Sequence, residues 1–222
     1  MKHSYKAAQA VAGFLLLASM HASGVTINWG SPVVSQFVNS QGQALDSSYK
    51  VELGVFVNSF VPTSENTAEW AANWRTFSVG AFNLQNGYFT GTADLKGDGS
   101  SSDILADVGV NFSDLEAYVW VFNSDTMQVG SEWFLGRSDS WVLPAASPGC
   151  CDGRTPVNWS TSDLNVGDRP VFGGQGVVSG GGTVIMPGNY ALQTYTVPEP
   201  SVLLLGASAT VWCCLRRRRK AG

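Results

Sequence analysis

Histidine and basic residues are scarce over most of this 222-residue chain. The two histidines are His3 and His21, so the stretch from Val25 to Thr196 contains none. That stretch therefore lacks the usual general base of serine and cysteine hydrolases and the commonest nitrogen ligand of zinc and copper. It also holds only six basic residues against 16 acidic ones, which argues against nucleic-acid binding because that needs clustered Lys and Arg.

The acidic residues do not form a recognisable catalytic set. Hydrolysis of a glycosidic bond requires only two carboxyl groups that flank the bond. The acids of the body are scattered through loops and strand ends, and no pair stands out from the others. The sequence therefore predicts that the protein is not an enzyme, and a carboxylate-based glycan hydrolase is the least favoured alternative.

Cysteine is rare as well: of four cysteines, only Cys150 and Cys151 lie between residues 25 and 196. Thiols outside the cytoplasm tend to oxidise, so this pair either forms a strained vicinal disulfide in a tight turn or remains as free or intermolecular thiols. No further Cys or His is present in that stretch to complete a tetrahedral metal site. We therefore expect no firm metal centre here.

The first 24 residues have the order of a secretory signal peptide. Lys2 and Lys6 precede an apolar stretch, 7–18, which is too short to span a bilayer, and the small residues Ala22 and Gly24 follow it. We expect cleavage after Gly24, with cleavage after Ala22 as the alternative. A buried N-terminal helix of a cytosolic domain would leave this order of charged, apolar and small residues unexplained.

At the other end, an uncharged run at 201–215 precedes five consecutive basic residues. As a helix the run would measure about 22 Å, which is short of a hydrocarbon core of about 30 Å. Long basic side chains can snorkel to the interface, and such clusters stay on the cytoplasmic side of a membrane. We therefore expect a C-terminal transmembrane helix with the body outside. The basic residues are Arg216, Arg217, Arg218, Arg219 and Lys220.

A Pro-Glu-Pro triplet, Pro198, Glu199 and Pro200, stands directly before the uncharged run. The triplet, the apolar segment and the terminal arginine cluster, in that order over residues 197–222, resemble the PEP-CTERM sorting signal of exopolysaccharide-producing Gram-negative bacteria. The adjacent Cys213 and Cys214 depart from a plain apolar run; they are either lipidated or small apolar filler.

The resemblance implies that a membrane-embedded processing enzyme, an exosortase, recognises the triplet and removes the tail. The protein would be an inner-membrane anchored precursor with a periplasmic body, which is then delivered to the cell surface or the extracellular matrix. The triplet would be a substrate motif without a catalytic role, and exopolysaccharide would be a further partner. The chain then divides into a signal peptide (1–24), an extracytoplasmic domain (25–196) and a sorting signal (197–222), whose parts are the motif 197–200, the transmembrane segment 201–215 and the basic tail 216–220.

Most of the body is predicted to form short β-strands separated by turns. VELGVFV at 51–57 places Val51, Leu53 and Val55 on one face, whereas EAYVWVF at 116–122 is apolar on both faces and predicts a central strand. We expect an all-β domain, either a jelly-roll-like β-sandwich or a barrel, with one short helix. Further strands are expected in VTINWG from Val25, GYFTGTADL from Gly87, EWFLGR from Glu132, SWVLP from Ser140, GTVIM from Gly182 and YALQTYT from Tyr190.

The expected helix lies in NTAEWAANWRTF, which begins at Asn66. Asn66 is predicted to cap it, and Trp70, Trp74 and Phe77 have the spacing of one helical face. Aromatic residues at helical spacing usually belong to a core, so we expect this helix to close one end of the sheet. An exposed aromatic platform for binding is the alternative.

Two features raise the question of a ligand. Trp159, in VNWSTSD, is expected to be the most exposed tryptophan of the body and would stack on a sugar ring, which makes an extracellular glycan-binding module the alternative to a structural surface or matrix protein. Asp94, Asp98 and Asp103 offer oxygen ligands for calcium on a loop rich in Gly and Ser. Their spacing differs from that of an EF-hand, so a solvated hairpin tip is favoured and no cofactor is expected apart from this calcium hypothesis.

Overall fold

The computed structural model describes residues 24–146, 155–164, 170–175 and 191–198. Within these ranges the fold is all-β with one α-helix of four residues, as the sequence predicts. The predicted signal helix, the transmembrane segment with its basic tail, Cys150, Cys151, Glu199, Pro200 and the GTVIM strand lie outside the described residues. None of the helices within the described ranges is long and apolar enough to cross a membrane.

The described strands are short, and seven of the twelve lie in segments that the sequence predicts to be strands. They are β1 Val25–Gly30, β2 Gln36–Val38, β3 Lys50–Phe56, β4 Trp74–Val79, β5 Ala81–Asn83, β6 Tyr88–Leu95, β7 Tyr118–Phe122, β8 Glu132–Gly136, β9 Val157–Ser160, β10 Gly174–Gln175, β11 Ala191–Gln193 and β12 Tyr195–Thr196. Single-turn 3₁₀ helices cover Thr67–Glu69 and Thr161–Asp163, and the helix α1 covers Trp70–Asn73. The SWVLP segment forms no strand; Val142 makes one isolated bridge to Glu116.

These strands form three sheets, with the orders β5-β6-β1-β9, β12-β8-β7-β3-β4 and β10-β11-β2. Neighbouring strands are antiparallel except in the pairs β1 with β9 and β2 with β11, which are parallel. β7 lies in the middle of the five-stranded sheet and all of its residues are buried, which confirms the prediction of a central strand.

An inner core lies between the four-stranded and the five-stranded sheets. Val51, Leu53 and Val55 of β3 pack into one cluster with Ile27 and Trp29 of β1. Every second residue of both strands contributes, because successive side chains of a strand point to opposite faces. The protein is therefore sandwich-like, with its main core between two sheets.

The opposite face of the five-stranded sheet is also covered, by an aromatic outer core. Trp120 and Trp133 from the sheet meet Trp70 of α1 there. Trp70 stacks on Trp133 with ring centroids 5.5 Å apart, and Trp120 meets Trp133 edge-on at 5.1 Å. Such pairs contribute about 0.5–1.5 kcal/mol each beyond the burial of their area. A sheet with a core on each face explains why β7 is apolar on both of its faces.

The helix is shorter than the sequence predicts, because the chain changes to strand β4 at Trp74. Trp74 joins the outer core and Phe77 the inner core, so the two residues do not share a face. Trp70, Trp74 and Phe77 are at most 6% exposed, which confirms that they belong to a core and makes the alternative of an exposed aromatic platform wrong. Residues 74–79 form a strand and not a helix because β4 gains a hydrogen-bonded partner, β3, which is remote in sequence.

Asn66 also differs from its predicted role as a helix cap. Its side chain makes no cap hydrogen bond at the start of the 3₁₀ turn. Its Oδ1 instead accepts hydrogen bonds from the Thr63 N–H at 2.8 Å and from the Trp70 indole N–H at 2.9 Å. Asn66 therefore fixes the indole that closes the outer core.

The outer edge of β4 is covered by the loop 101–108. Asp107 Oδ2 accepts a hydrogen bond from the Thr76 N–H at 2.7 Å, and the Asp107 N–H donates to the Thr76 carbonyl at 2.9 Å. Asp103 Oδ2 accepts from the Val79 N–H at 2.9 Å. A bare edge strand is a template for pairing with another chain, so these contacts oppose aggregation through β4.

Candidate binding cleft

A cleft of about 810 Å³ opens at one end of the five-stranded sheet. Its walls are the segment 56–62 that follows β3, the segment 114–118 that leads into β7, and Arg137 directly after β8. Because β3 and β8 both run antiparallel to β7, the ends of β3 and β8 meet the start of β7 at this place. The topology therefore brings together three segments that are far apart in sequence.

Arg137 is the basic residue that lines this cleft. Its Nη1 lies 2.6 Å from Glu116 Oε2, its Nη2 lies 3.6 Å from Asp139 Oδ1, and its guanidinium carbon lies 5.9 Å from the ring centroid of Tyr118. Burial alone would lower the pKa of Arg137, but the adjacent Tyr118 and Glu116 raise it. The side chain keeps 36% of its surface exposed, so a guanidinium of fixed orientation faces the cleft.

Tyr118 forms part of the cleft wall and donates its hydroxyl to Glu116 Oε2 at 3.2 Å. Burial raises the pKa of Tyr118 to about 12, so the phenol stays neutral and keeps this proton at physiological pH. Glu116 thus receives donors from both Tyr118 and Arg137. The pair formed by Glu116 and Arg137 presents an acceptor and a donor next to each other.

The backbone on two sides of the cleft is held in an unusual conformation. Among the described residues, the non-glycine positions with positive φ are Asn58 at 58°, Ser59 at 56° and Asp114 at 60°, and all three line the cleft. The left-handed region costs a non-glycine residue about 1–2 kcal/mol, although Asn and Asp tolerate it better than other residues. Strained backbone of this kind clusters at binding and active sites.

Aromatic rings form the apolar part of the cleft. Phe56 and Phe60 have centroids 5.4 Å apart with a 33° angle between their planes, and Tyr118 meets Phe56 edge-on at 5.3 Å. Phe56 is buried, Phe60 is half-buried, and Val61 beside it is 70% exposed at the rim. The cleft therefore joins a ring surface to the charged pair of Glu116 and Arg137.

A second polar cluster surrounds Glu132 and is termed the Glu132 cluster, with Ser40, Tyr49 and Thr194. Glu132 Oε1 accepts the Ser40 hydroxyl at 2.6 Å. Its Oε2 accepts the Ser40 N–H at 3.0 Å, the Tyr49 hydroxyl at 2.8 Å and the Thr194 hydroxyl at 2.7 Å. A carboxylate has about four acceptor sites, so these four donors use most of its acceptor capacity. We interpret this cluster as a structural tie between the five-stranded sheet and the segments that follow β2 and β11.

Trp159 does not lie where the sequence predicts. It is 8% exposed, belongs to β9 and stacks on Trp141 with centroids 6.0 Å apart. Because β9 pairs in register with β1, Trp159 lies opposite Trp29 and contributes to the inner core. The expectation of an exposed Trp159 for sugar stacking is therefore wrong. Every tryptophan among the described residues is similarly buried, so none offers an exposed face.

The three candidate calcium ligands bind separate partners. Asp94 accepts the Thr26 hydroxyl at 2.7 Å, Asp98 accepts the N–H and hydroxyl of Ser100, and Asp103 accepts backbone N–H groups. The hydrogen bonds from Ser100 lower the pKa of Asp98. Across the described ranges there is no group of three or more Asp, Glu, Cys or His residues that could hold a metal ion.

The beginning of the predicted sorting motif is described. The Val197 N–H donates to the Ser131 carbonyl at 2.8 Å, and the Val197 side chain is 2% exposed within the outer core. Pro198, the next residue, is exposed. The packing of the body thus extends one residue beyond Thr196, and the first proline of the triplet is exposed.

The sequence does not single out the cleft residues. Asn58, Ser59 and Asp114 are ordinary turn residues in the sequence, and Arg137 and Glu116 are two scattered charges. Comparisons of the chain with protein-family models, with curated proteins and with solved structures find no match.

Proposed function

We propose that the protein is an exported cell-surface or extracellular-matrix structural protein that is sorted through a PEP-CTERM and exosortase system. The observation that carries this proposal is the change from buried Val197 to exposed Pro198. The Pro-Glu-Pro triplet thus begins at an exposed residue directly after the packed Val197, and processing enzymes act on exposed segments. In this proposal the signal peptide directs export, and the transmembrane segment and the arginine tail hold the precursor in the membrane before processing.

The build of the body supports a structural role outside the cell. The edge of β4 is covered, the sheet between the two cores buries its apolar residues on both faces, and acids outnumber bases 16 to six over residues 25–196. A covered edge and a net negative charge keep a secreted protein from associating with itself. We propose a jelly-roll-like sandwich for this body, because its larger described sheets remain separate and share one core.

The body is proposed to act without catalysis and without a cofactor. It contains no histidine, and its most extensively hydrogen-bonded described carboxylate, Glu132, uses its acceptor sites on the protein itself. Its partners would be an exosortase-type enzyme, the membrane through residues 201–215 before processing, and exopolysaccharide afterwards. Its acidity disfavours nucleic acid.

The test is the fractionation of the native host, with the full chain carrying Glu199→Ala compared with the wild type. We expect the wild-type body at the cell surface or in the matrix fraction and the variant retained in the membrane. Glu65→Ala, which changes an exposed acid of the body, is the control and should behave as the wild type. Equal distribution of wild type and Glu199→Ala would contradict the sorting role of the triplet.

A further inference from the structure

We infer that the cleft formed by segments 56–62 and 114–118 with Arg137 is a binding site for a neutral saccharide. Its volume of about 810 Å³ is in the range of about 300–1,000 Å³ that is typical of small-molecule sites. The inference does not depend on the sorting tail. If the body does reside in a polysaccharide matrix, that matrix is the natural source of the ligand.

The charges in the cleft favour a neutral ligand. Asp114 and Glu116 oppose the single base Arg137, and Asp139 stands next to the guanidinium. An anionic ligand would meet this excess of carboxylates, and like charges brought together are repelled. A metal ion is equally disfavoured, because the described residues hold no group of three or more ligands suited to one.

The polar groups of the cleft suit a ligand that both donates and accepts hydrogen bonds. Arg137 has five N–H groups in a planar fork, and Glu116 and Asp139 engage only part of them. Glu116 is 59% exposed and offers acceptor sites beside those donors. The side-chain amide of exposed Asn58 carries both a donor and an acceptor. A sugar hydroxyl has the same double capacity, and adjacent hydroxyls match a donor next to an acceptor.

The apolar side of the cleft suits the C–H face of a pyranose ring. Phe60 is half-buried, so part of its ring remains accessible, and Phe56 supports it from below at 5.4 Å. A flat aromatic surface next to planar polar groups fits a ring that has an apolar face and a hydroxylated rim. A purely apolar ligand would leave the charged pair of Glu116 and Arg137 desolvated and poorly matched.

The strained backbone points to a preformed site. Asn58 and Ser59 in one wall segment and Asp114 in the other adopt left-handed conformations, and the Phe60 N–H donates to the Val57 carbonyl at 3.0 Å across the turn at Asn58 and Ser59. Preorganisation of this kind reduces the ordering that a ligand must impose on binding. The cleft therefore has two walls whose backbone conformations are set before a ligand binds.

Isothermal titration calorimetry of the purified full chain tests this inference. The probes are linear hexasaccharides of glucose, mannose and galactose, with hexagalacturonate as the anionic comparison. We expect at least one neutral probe to bind with a Kd between about 10 μM and 1 mM, and hexagalacturonate to bind at least about tenfold more weakly. Phe60→Ala and Arg137→Met should each weaken the neutral probe about tenfold or more.

Phe82→Ala is the matched control, because Phe82 is a half-buried aromatic residue on the other sheet, in β5. It should leave the Kd within about twofold of the wild type. Glu116→Gln is a second variant at an exposed position that should keep the fold and weaken binding at least about threefold. Absence of binding by every neutral probe at about 10 mM, binding of the anionic probe alone, or an unchanged Kd in Glu116→Gln and Arg137→Met would overturn the inference.

Discussion

Replacement of Glu132 by Gln should lower stability at neutral pH and remove part of its acid sensitivity. Burial alone would raise the pKa of Glu132, but the hydrogen bonds from Ser40, Thr194 and Tyr49 outweigh it and hold the pKa below its ordinary value of 4.5. A carboxyl group with a depressed folded-state pKa stabilises the fold above its unfolded-state pKa. This contribution is lost as the pH falls through the folded-state pKa.

The magnitude follows from the four donors to Glu132. A hydrogen bond to a charged group contributes about 1.5–3 kcal/mol and a neutral one about 0.5–1.5 kcal/mol. In Glu132→Gln the amide oxygen keeps an acceptor and the Ser40 hydroxyl can rotate to accept from the new NH₂. Because the site is partly solvated, we expect a loss of about 1–2 kcal/mol at pH 7, and about 3 kcal/mol for Glu132→Ala, which removes every acceptor.

The assay is urea unfolding followed by tryptophan fluorescence, at a series of pH values from 7 down to about 3. The difference between wild type and Glu132→Gln should shrink toward zero as the pH falls from 4.5 through the lower folded-state pKa of Glu132, because the wild-type carboxyl group then also becomes uncharged. Glu65→Gln, at an exposed position, is the control and should differ little from wild type at any pH. Equal stability of wild type and Glu132→Gln at pH 7, or a difference that does not shrink as the pH is lowered, would refute the reasoning.

Three further substitutions test the packing. Gly91→Ala should destabilise the fold by about 2–3 kcal/mol in urea unfolding, because its Cβ would overlap the Trp29 indole; a loss below about 0.5 kcal/mol would contradict the described packing. Trp70→Ala should cost about 3–5 kcal/mol in the same assay, since it empties the centre of the outer core, and a variant as stable as wild type would disprove that role. Asp107→Ala should leave the Thr76 N–H without its side-chain acceptor and expose the edge of β4. Light scattering should therefore report faster aggregation than for wild type at equal concentration. Unchanged scattering would show that this contact does not protect the edge.

The strands are predicted from the sequence better than the cleft is. Strand patterns are local in the sequence, whereas the cleft is formed by residues that are far apart in it. Alternation along 51–57 and the apolar run at 116–122 are local patterns, and the strands β3 and β7 are found there. The short β9 alternates apolar and polar residues over only four positions, so its Trp159 resembles a loop residue until its pairing with β1 is known. The helix predicted from Asn66 is present but shorter than expected for the same reason, since pairing with β3 makes residues 74–79 a strand.

The cleft could not be predicted because its parts have no sequence signal of their own. Asn58 and Asp114 are typical turn residues, and their left-handed backbone becomes informative only when both are seen to face one cavity. Arg137 and Glu116 are 21 residues apart and meet because β7 and β8 are antiparallel neighbours. The predicted sorting motif at 197–222 has the opposite character, because it is proposed from the order of residues in the sequence alone.

The most direct test of the account is the intact mass of the protein recovered from the matrix or surface fraction of its own host. If the protein is exported and processed as proposed, the recovered chain begins at Val25 or Ser23 and lacks the arginine tail, with its C-terminus in or near the Pro-Glu-Pro triplet. Recovery of the protein only inside the cell or in the membrane, with its first 24 residues and residues 201–220 intact, would contradict export and processing.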